Sequence, residues 1–344
     1  MQAESAIISL MAAITTPILA EPPQLRPLNI LRDLPAVADL VEKCFADTID
    51  AEGRRYIQQM RRSGQDSNFL RWATAAVETA SMPLSGFVWE EHGEIIGNVS
   101  LIPYHHRRSR LYLIANVAVH PDYRRRGIGR ALTAAAMQRA SQRHAKEIWL
   151  HVRDDNPGAI ELYASLGFRE HARRTMWQAK PERKACTDGL DVTISKRSPH
   201  DWARQESWLR HLYPDLLSWY QPMPWQSLRP GVFPVFYRFL MDYDVRHWCA
   251  NLGREISAVL SWHAMAGGND RLWAAAPPEN SAESSARSLM ALLLHARREM
   301  SWRQSLTLDF PADQYNAAIE AAGFHRHRTL LWMKLETGNL VNQP

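Results

Sequence analysis

Residues 124–131 (Arg-Arg-Arg-Gly-Ile-Gly-Arg-Ala) place two glycines among four arginines at a point where the sequence pattern changes. Before them, the apolar run 111–119 ends at His120-Pro121-Asp122, as expected for a buried strand that leads into a turn. After them, apolar residues recur at helical spacing over 131–137. A helix start offers amides and the positive end of the dipole to an anion, and glycine lets that anion approach the backbone. The pattern predicts a phosphate or pyrophosphate site; a tight turn with solvated arginines is the alternative.

A second motif follows further along the chain. Residues 147–152 alternate as a strand, a short helix is predicted from Asn156 to Tyr163, and Gly167-Phe168 ends it. The two motifs together resemble the Gcn5-related N-acetyltransferase (GNAT) superfamily. The residues that carry this resemblance are Val117-Ala118-Val119-His120-Pro121, the Arg-x-x-Gly-x-Gly pattern of Arg124 to Gly129, Asn156, Ala159, Tyr163 and Gly167-Phe168.

The resemblance extends over residues 26–180. Residues 28–31 and the apolar-periodic stretch 37–45 are similar to the family's first strand and helix. Residues 87–91 and 95–101 flank His92-Gly93-Glu94 and predict a hairpin. The segment 47–85, where relatives carry acceptor-binding helices, shows no diagnostic pattern.

The second half of the chain echoes the first. Residues 306–335 repeat the order strand, helix, Gly-Phe, strand that is found over 150–180, and 247–260 match the earlier hairpin. Residues 273–277, Trp-Ala-Ala-Ala-Pro, occupy the place of 117–121. The sequence therefore predicts a tandem duplication.

The second copy departs from the family where chemistry would need it. Residues 281–286, Ser-Ala-Glu-Ser-Ser-Ala, replace the glycine turn ahead of a helix predicted over Ser288–Glu299. When the two Gly-Phe pairs are aligned, Ala312 and Ile319 take the places of Asn156 and Tyr163. We expect this copy to lack a working cofactor site and to be structural or part of the acceptor pocket. A weak anion site at its helix start stays open.

The resemblance implies an α/β (α+β) protein of two tandem GNAT folds, each a mixed, mostly antiparallel central sheet flanked by helices. A length of 344 residues suits two domains. The expected segments are an extension at 1–25, a catalytic GNAT domain at 26–180, a linker at 181–189, a degenerate GNAT-like domain at 190–336 and a tail at 337–344. The extension is expected to be disordered, with Met11 as an alternative start, because its apolar stretch lacks the basic leader of a signal peptide.

The resemblance also implies acetyl-coenzyme A as the co-substrate, with no metal. In the family the pantetheine arm lies beside a splayed strand, here Val117, Ala118 and Val119, whose backbone groups pair with it. The turn would hold the pyrophosphate with backbone amides and arginine side chains, and Asn156 would bind the cofactor arm, cap its own helix, or do both. The implied turn residues are Arg124, Arg125, Arg126, Gly127, Ile128, Gly129 and Arg130.

Tyr163 occupies the position of the family's usual acid, and a phenol can protonate a departing thiolate. An amide from 117–119 could donate to the thioester oxygen. Ribosomal-protein alanine acetyltransferases share the Leu-x-Val-Arg then Asn pattern and carry a glutamate at the position of His151. Because histidine titrates near pH 6.5, His151 could act as the base, although a core role is also open. His120, Asn116 acting through water, and Glu90 are the alternative bases.

The composition gives expectations about binding partners, metal sites, disulfides and the location of the protein. The 41 basic and 36 acidic residues give a net charge of +5 without a global nucleic-acid footprint, so neither nucleic acid nor a membrane is expected as a partner. The clusters 105–108 and 173–174 are expected to be solvated loops. Three widely spaced cysteines give neither a disulfide framework nor a zinc site, which suits the cytoplasm. Nine of thirteen tryptophans lie beyond residue 200, and this favours core and interdomain packing over an acceptor cleft.

The expected function is acetyl transfer to a primary amine by direct attack. A small-molecule acceptor is favoured over a protein or peptide amino terminus, because the tandem architecture resembles the mycothiol synthases, although there the second copy is the active one. The rival from another class is a non-catalytic acyl-coenzyme A sensor or assembly module. Transfer of a longer acyl group is a third possibility, and the sequence gives no oligomeric state.

Overall fold

The computed structural model describes residues 22–47, 49–66, 69, 71–72, 81–185, 191–231, 244–265, 269–277 and 282–337. Residues 1–21 of the predicted extension (1–25), residues 186–189 of the predicted linker (181–189) and residues 338–344 of the predicted tail (337–344) lie outside these ranges. The domain boundaries therefore stay predictions. The chain separates into two compact units. Unit 1 comprises Met1–Leu101 and Asn116–Arg139, and unit 2 comprises Ile102–Ala115 and Ala140–Pro344.

Unit 1 begins with a short strand and two helices, β1 (Leu25–Pro27), α1 (Ile30–Phe45) and α2 (Ala51–Ser63). The first strand predicted at 28–31 is wrong, because Asn29 caps α1 instead. Its side chain accepts a hydrogen bond from the Leu31 amide at 3.0 Å, and Asp33 accepts one from the Asn29 amide at 2.8 Å. Such reciprocal bonds fix the start of a helix, so the strand has to end before this point.

The predicted hairpin is confirmed as β2 (Ser85–Glu91) and β3 (Glu94–His106), which are antiparallel. The turn residues His92 and Gly93 have φ values of 53° and 83°, the pair of positive angles that matches the twist of a hairpin. β1 pairs antiparallel with β2. The next strand, β4 (Ser109–Val119), enters unit 1 at Asn116 and leads through a 3-10 turn (Pro121–Tyr123) to α3 (Ile128–Gln142).

The core of unit 1 forms where α1 packs on the strands. Its apolar residues recur at helical spacing, and Val37 and Val41 are buried against Val88 of β2 and Ala118 of β4. Ile57 of α2 joins the same cluster. The packing holds the end of β4 in place ahead of the predicted anion-binding turn.

Unit 2 contains the last residues of β3 and the first residues of β4, followed by helices and strands in alternation. These elements are β5 (Glu147–Arg153), α4 (Pro157–Ser165), β6 (Arg169–Ala179), β7 (Thr193–Lys196), α5 (Trp202–Leu212), α6 (Trp225–Leu228), β8 (Val245–Leu252), β9 (Glu255–His263), β10 (Asn269–Ala275), α7 (Ala282–Glu299), β11 (Ser305–Pro311), α8 (Asn316–Ala321) and β12 (His325–Glu336). Its core is built by strands β8 to β11 against α7, with Trp262, Phe310 and Leu292 fully buried.

Neighbouring strands of unit 2 follow the order β4-β5-β12-β6-β11-β10-β9-β8-β7. β4 pairs parallel with β5, and β10 pairs parallel with β11, whereas β9, β8 and β7 are joined by antiparallel pairing. Along the chain, each parallel pair comes after a hairpin, and one long helix lies between its two strands. This helix is α3 in the first case and α7 in the second. The tandem repeat predicted from the sequence is confirmed in this order of elements.

The last strands of the two copies are exchanged. β12 pairs with both β5 and β6, and β6 pairs with both β11 and β12, so each last strand lies between two strands of the other copy. At the shared pair, the buried hydroxyls of Thr175 and Thr329 are 2.9 Å apart. Since buried backbone groups need partners, each copy depends on the other for a complete sheet. In the ranges that the structure describes, no helix has both the length and the apolar character to cross a bilayer.

Candidate active site

The predicted pyrophosphate turn lies in unit 1, where β4 passes into α3. The His120 amide donates to the Ile96 carbonyl at 2.8 Å, and this bond ends the strand. Further along, Arg125 and Gly127 have φ values of 66° and 80°. Residues with left-handed φ angles are typical of the turns whose backbone N–H groups form an anion-binding concavity.

Gly127 has a conformation that favours glycine, and the space beside it is open. A Cβ built on Gly127 would meet no atom within 4 Å, so an approaching anion would not be blocked by the protein. The Gly127 carbonyl accepts from the Ala131 amide at 3.0 Å. This first helical bond leaves the Ile128 and Gly129 amides ahead of the helical ladder, at the positive end of the helix dipole.

The start of α3 packs closely against β3. Ile128 is buried with 3% of its surface exposed, and Gly97 of β3 lies against it. A Cβ on Gly97 would come within 2.9 Å of Leu132 and 3.0 Å of Ile128, so only glycine allows the helix to pack this close to the strand. The first turn of α3 holds no acidic residue, so nothing there opposes an anion.

The arginines of the turn differ in how they are held. Arg124 Nε donates to the Val119 carbonyl at 3.3 Å, whereas the Arg126 guanidinium stacks over the Tyr123 ring at 4.8 Å. Arg124, Arg125, Arg126 and Arg130 are exposed. Exposed guanidiniums near an open turn can fork onto phosphate oxygens, which agrees with the predicted role.

The predicted cofactor strand, Val117 to Val119, follows a strained residue that sequence reasoning used only as an alternative base. Asn116 has a φ of 50°, which is rare for a residue other than glycine in a strand. Its side-chain amide donates to Tyr56 Oη at 2.9 Å and Ser100 Oγ at 3.2 Å, and its carbonyl accepts from Asn98 at 2.9 Å. Such strain persists only where the surroundings hold it, so this network keeps Asn116 in its strained conformation just before Val117 to Val119.

Sequence reasoning missed most of this network. Tyr56 lies in the segment 47–85, which shows no diagnostic pattern, and burial raises its pKa. The available signal was Asn98, a polar residue in an apolar strand run that proves fully buried. Cys44 Sγ donates to the Val119 carbonyl at 3.2 Å, and burial raises the pKa of this thiol.

Asn156 and Tyr163 lie in unit 2, on α4. Asn156 caps this helix, since its side-chain oxygen accepts from the Ala159 amide at 3.1 Å, and its NH₂ group is the part suited to a ligand. Tyr163 is buried with 7% exposure, and its ring meets Phe168 edge to face at 6.2 Å. Burial raises the pKa of Tyr163 to about 12, so the phenol keeps its proton at neutral pH.

His151 lies on β5 in unit 2, partly buried among aromatic rings. It is 4.9 Å from the Trp332 ring and 6.1 Å from the Tyr220 ring. Burial, with a smaller contribution from Arg328, lowers the pKa of His151 to about 4. The imidazole is therefore neutral at physiological pH and can accept a proton or a hydrogen bond, but it is a weak base.

The alternative bases have other partners. Glu90 contacts Arg26 at 2.5 Å and Arg32 at 2.9 Å, and the hydrogen bond from Arg26 lowers its pKa. His120 Nε2 lies 2.6 Å from Lys43 Nζ. Glu90 is thus better suited to hold β1 and the start of α1 against β2 than to take a proton. Among the described residues, no cluster of three or more histidine, cysteine, aspartate or glutamate side chains is arranged to hold a metal.

Comparison with known proteins agrees with this geometry. The model of the Acetyltransferase (GNAT) family matches residues 43–168, a range that contains both the turn and α4. Residues 43–168 belong to the GNAT family. A ribosomal protein bS18-alanine N-acetyltransferase from Escherichia coli K12 is 49% identical over 84 residues, which are 24% of this chain and 53% of that protein. The chain thus spans about half the length of the curated relatives it matches.

A second relative and a solved structure add to this comparison, and the likeness of the solved structure in fold extends into the second half. A mycothiol acetyltransferase from Thermobispora bispora is 31% identical over 160 residues, which are 45% of this chain and 50% of that protein. The crystal structure of a GCN5-related N-acetyltransferase from Sphaerobacter thermophilus has a TM-score of 0.53 and 14% identity, and it covers 92% of this chain and 96% of that one. With the repeated order of elements, this fold match shows two tandem GNAT folds.

The long helix of the second copy starts differently, and an apolar residue stands at the place of the Tyr163 phenol. The start predicted at Ser288 is wrong, because α7 begins at Ala282 and has Glu283 in its first turn. The residue at the place of Tyr163, Ile319, is fully buried in the core. The residue before α8 is Tyr315, whose hydroxyl donates to the Pro277 carbonyl at 3.0 Å. An acidic side chain at a helix start disfavours an anion, which agrees with the expected degeneracy of this copy.

Proposed function

We propose that the chain is an acetyl-coenzyme A-dependent N-acetyltransferase that transfers an acetyl group to a primary amine. The observation that carries this proposal is the glycine turn ahead of α3 within a segment that matches the GNAT family. Its open space at Gly127 and its acid-free helix start suit the pyrophosphate of the donor.

The turn holds the donor in this proposal. The amides of Arg126, Gly127, Ile128 and Gly129 bind the pyrophosphate, while the side chains of Arg124, Arg125 and Arg130 balance its charge. The backbone of Val117, Ala118 and Val119 pairs with the pantetheine arm, and the Asn156 NH₂ group donates to it. The network around Asn116 supports this assignment, because it fixes a strained residue directly before this strand segment.

The amine nitrogen attacks the thioester carbon, and the carbonyl oxygen becomes an oxyanion that an amide of 117–119 stabilises. The C–S bond then breaks, and Tyr163 donates its phenolic proton to the thiolate. A pKa raised to about 12 keeps that proton available at neutral pH, although it also makes the phenol a weak acid. The proton that the attacking nitrogen loses goes to water, or to the neutral imidazole of His151, which then releases it to solvent because its pKa is about 4.

The acceptor is a small-molecule amine rather than a protein amino terminus. The relatives act on both kinds of acceptor, since one carries the name of a ribosomal-protein alanine acetyltransferase and another that of a mycothiol acetyltransferase. The alignment with the second of these covers the larger share of this chain, which supports the small molecule. Cys44 and Cys249 are free thiols, and we infer a cytoplasmic protein.

The test is a transfer assay with an amine panel, run beside calorimetric titration with coenzyme A. The proposal predicts donor binding and acetylation of at least one amine, with release of free thiol in equal amount. Donor binding without transfer to any amine would instead support an acyl-coenzyme A sensor. Absence of donor binding would contradict the proposal outright.

A further inference from the structure

Unit 2 contains a pocket with five aromatic rings in its wall, and we call it the aromatic pocket. Its rings come from the chain between α5 and α6, from the first residue of α6, from β10 and from β12. These rings belong to Tyr213, Tyr220, Trp225, Trp273 and Trp332. Met223 adds a polarizable side chain to the wall. Pockets of this composition bind flat apolar groups through large contact areas.

The charged groups that line the pocket already have partners. Arg174 contacts the Asp309 carboxylate and donates to the Leu212 carbonyl at 2.9 Å. Arg210 contacts Glu206 at 2.6 Å, and Asp215 contacts Arg107. Because each charge is balanced, the pocket offers no strong attraction to a charged group, and the part of a ligand that enters it is expected to be neutral.

The pocket floor is also fixed by hydrogen bonds. The Gln221 side chain donates to Asp309 Oδ2 at 3.2 Å and accepts from Arg271 Nη1 at 2.7 Å.

Two rings of the pocket also contact His151, the candidate base. Tyr220 and Trp332 are 4.9 Å apart, and each lies beside the His151 ring. Tyr220 is 41% exposed, so this edge of the wall is accessible to a ligand. A group that fills the pocket would therefore end near the imidazole, with aromatic faces that attract an ammonium before it loses its proton.

We propose that the aromatic pocket binds the body of the acceptor, and that the acceptor is an arylalkylamine, an amine on a short chain attached to a flat aromatic group. The acetylation of this amine rests on the proposed function, whereas the binding site is inferred from the residues that line the pocket. The sequence predicts that the tryptophans beyond residue 200 serve core and interdomain packing. Three of them line this one pocket instead. The rings already pack within the protein, since the Arg210 guanidinium lies 4.7 Å over the Trp225 ring and the Tyr213 ring meets the Trp273 ring edge to face at 5.2 Å. A flat aromatic group can extend this stacking, whereas an aliphatic polyamine or a peptide backbone cannot.

The experiment measures binding and transfer separately. Tryptophan fluorescence is titrated with 2-phenylethylamine, putrescine and tri-alanine amide, and acetyl transfer to the same three amines is then measured. We expect 2-phenylethylamine to quench the fluorescence and to be acetylated at least tenfold more efficiently than the other two. Trp225→Ala should weaken this binding at least tenfold, Trp225→Phe should restore part of it, and affinity for coenzyme A should not change.

Trp302→Ala is the matched control, because Trp302 is an exposed tryptophan outside the pocket wall. Preference for tri-alanine amide or putrescine, or unchanged 2-phenylethylamine binding in Trp225→Ala, would overturn the inference. Binding of 2-phenylethylamine without transfer to any amine would support the pocket and contradict the proposed function. Acetyl transfer to tri-alanine amide alone would support acetyl transfer to an amine and contradict the role proposed for the aromatic pocket.

Discussion

The two copies of the GNAT fold share one order of elements but differ at the start of their long helices. In the first copy, Gly127 gives α3 an open start without an acidic residue. In the second, α7 starts at Ala282 and carries Glu283 in its first turn. In both copies the parallel strand pair has a register of four residue pairs, so the scaffold is equally present in each. Under the proposed function, donor binding depends on a few residues at a turn rather than on the fold.

The same contrast appears at the following short helix. α4 starts at the Asn156 cap and presents Tyr163, whereas α8 starts after Tyr315 and buries Ile319 at the corresponding place. The second copy instead supplies structure, since β12 completes the sheet between β5 and β6. A duplicated domain that keeps its strands and loses its turn can still be required for folding.

The largest expected effect is the loss of the acid in the first copy. Tyr163→Phe should lower kcat on the order of 100-fold while the affinity for coenzyme A is unchanged, because the ring keeps its packing and loses only its proton. Steady-state kinetics with calorimetry separates the two quantities. Tyr315→Phe is the control in the second copy and should leave kcat within a factor of about two. Equal losses in both variants would contradict the assignment of chemistry to the first copy.

A smaller effect is expected from the turn itself. Gly127→Ala should weaken coenzyme A binding roughly tenfold, because a φ of 80° is strained for alanine and the amides would move. Gly93→Ala is matched to it: Gly93 has a φ of 83°, open space and a place in a hairpin away from the turn. It should cost stability without a change in affinity. If the two variants bind coenzyme A equally well, the turn does not hold the donor.

The sequence predicts features that depend on neighbouring residues, and it does not predict pairing between segments that are far apart in the chain. The strand over 111–119, the helix beginning near Gly129 and the cap at Asn156 follow from local patterns, and the structure confirms them, with the helix starting at Ile128. The strand exchange could not be predicted, since alternation along β12 says which face is buried and not which strand is adjacent. The first strand was placed too late because three residues are too short for a period to be seen.

The contacts around the site residues were also beyond the sequence. Tyr56 and Asn116 are 60 positions apart, and no periodic pattern links them. Tyr220 and Trp332 surround His151 from still more distant segments. The identity of a functional residue can be found from a local motif, whereas its pKa is set by neighbours that only the fold supplies.

A further prediction concerns acid stability through His151. Its folded pKa, about 4, lies below the value near 6.5 expected in the unfolded chain, so the unfolded state binds more protons between these values. Stability should therefore fall as the pH drops through this window, by about 1 to 2 kcal/mol between pH 7 and pH 5. Urea unfolding of the wild type and His151→Gln measures this. The variant should lose less on acidification; an identical loss would show that the ring is not held neutral.

The smallest effect is expected in the second copy. Glu283→Gln removes the acid from the first turn of α7 and should change the affinity for coenzyme A by less than about twofold, because no donor is expected there. Calorimetric stoichiometry checks this, with one donor per chain for both proteins. A second binding event in the variant would show that Glu283 alone keeps this copy empty and would sharpen the comparison.

The most direct test of the central claim is a crystal structure with coenzyme A. The account predicts one molecule per chain, with its pyrophosphate within hydrogen-bond distance of the amides of Gly127, Ile128 and Gly129. Density for the ligand only at the start of α7, or no ligand at the turn when coenzyme A saturates the protein in solution, would contradict it.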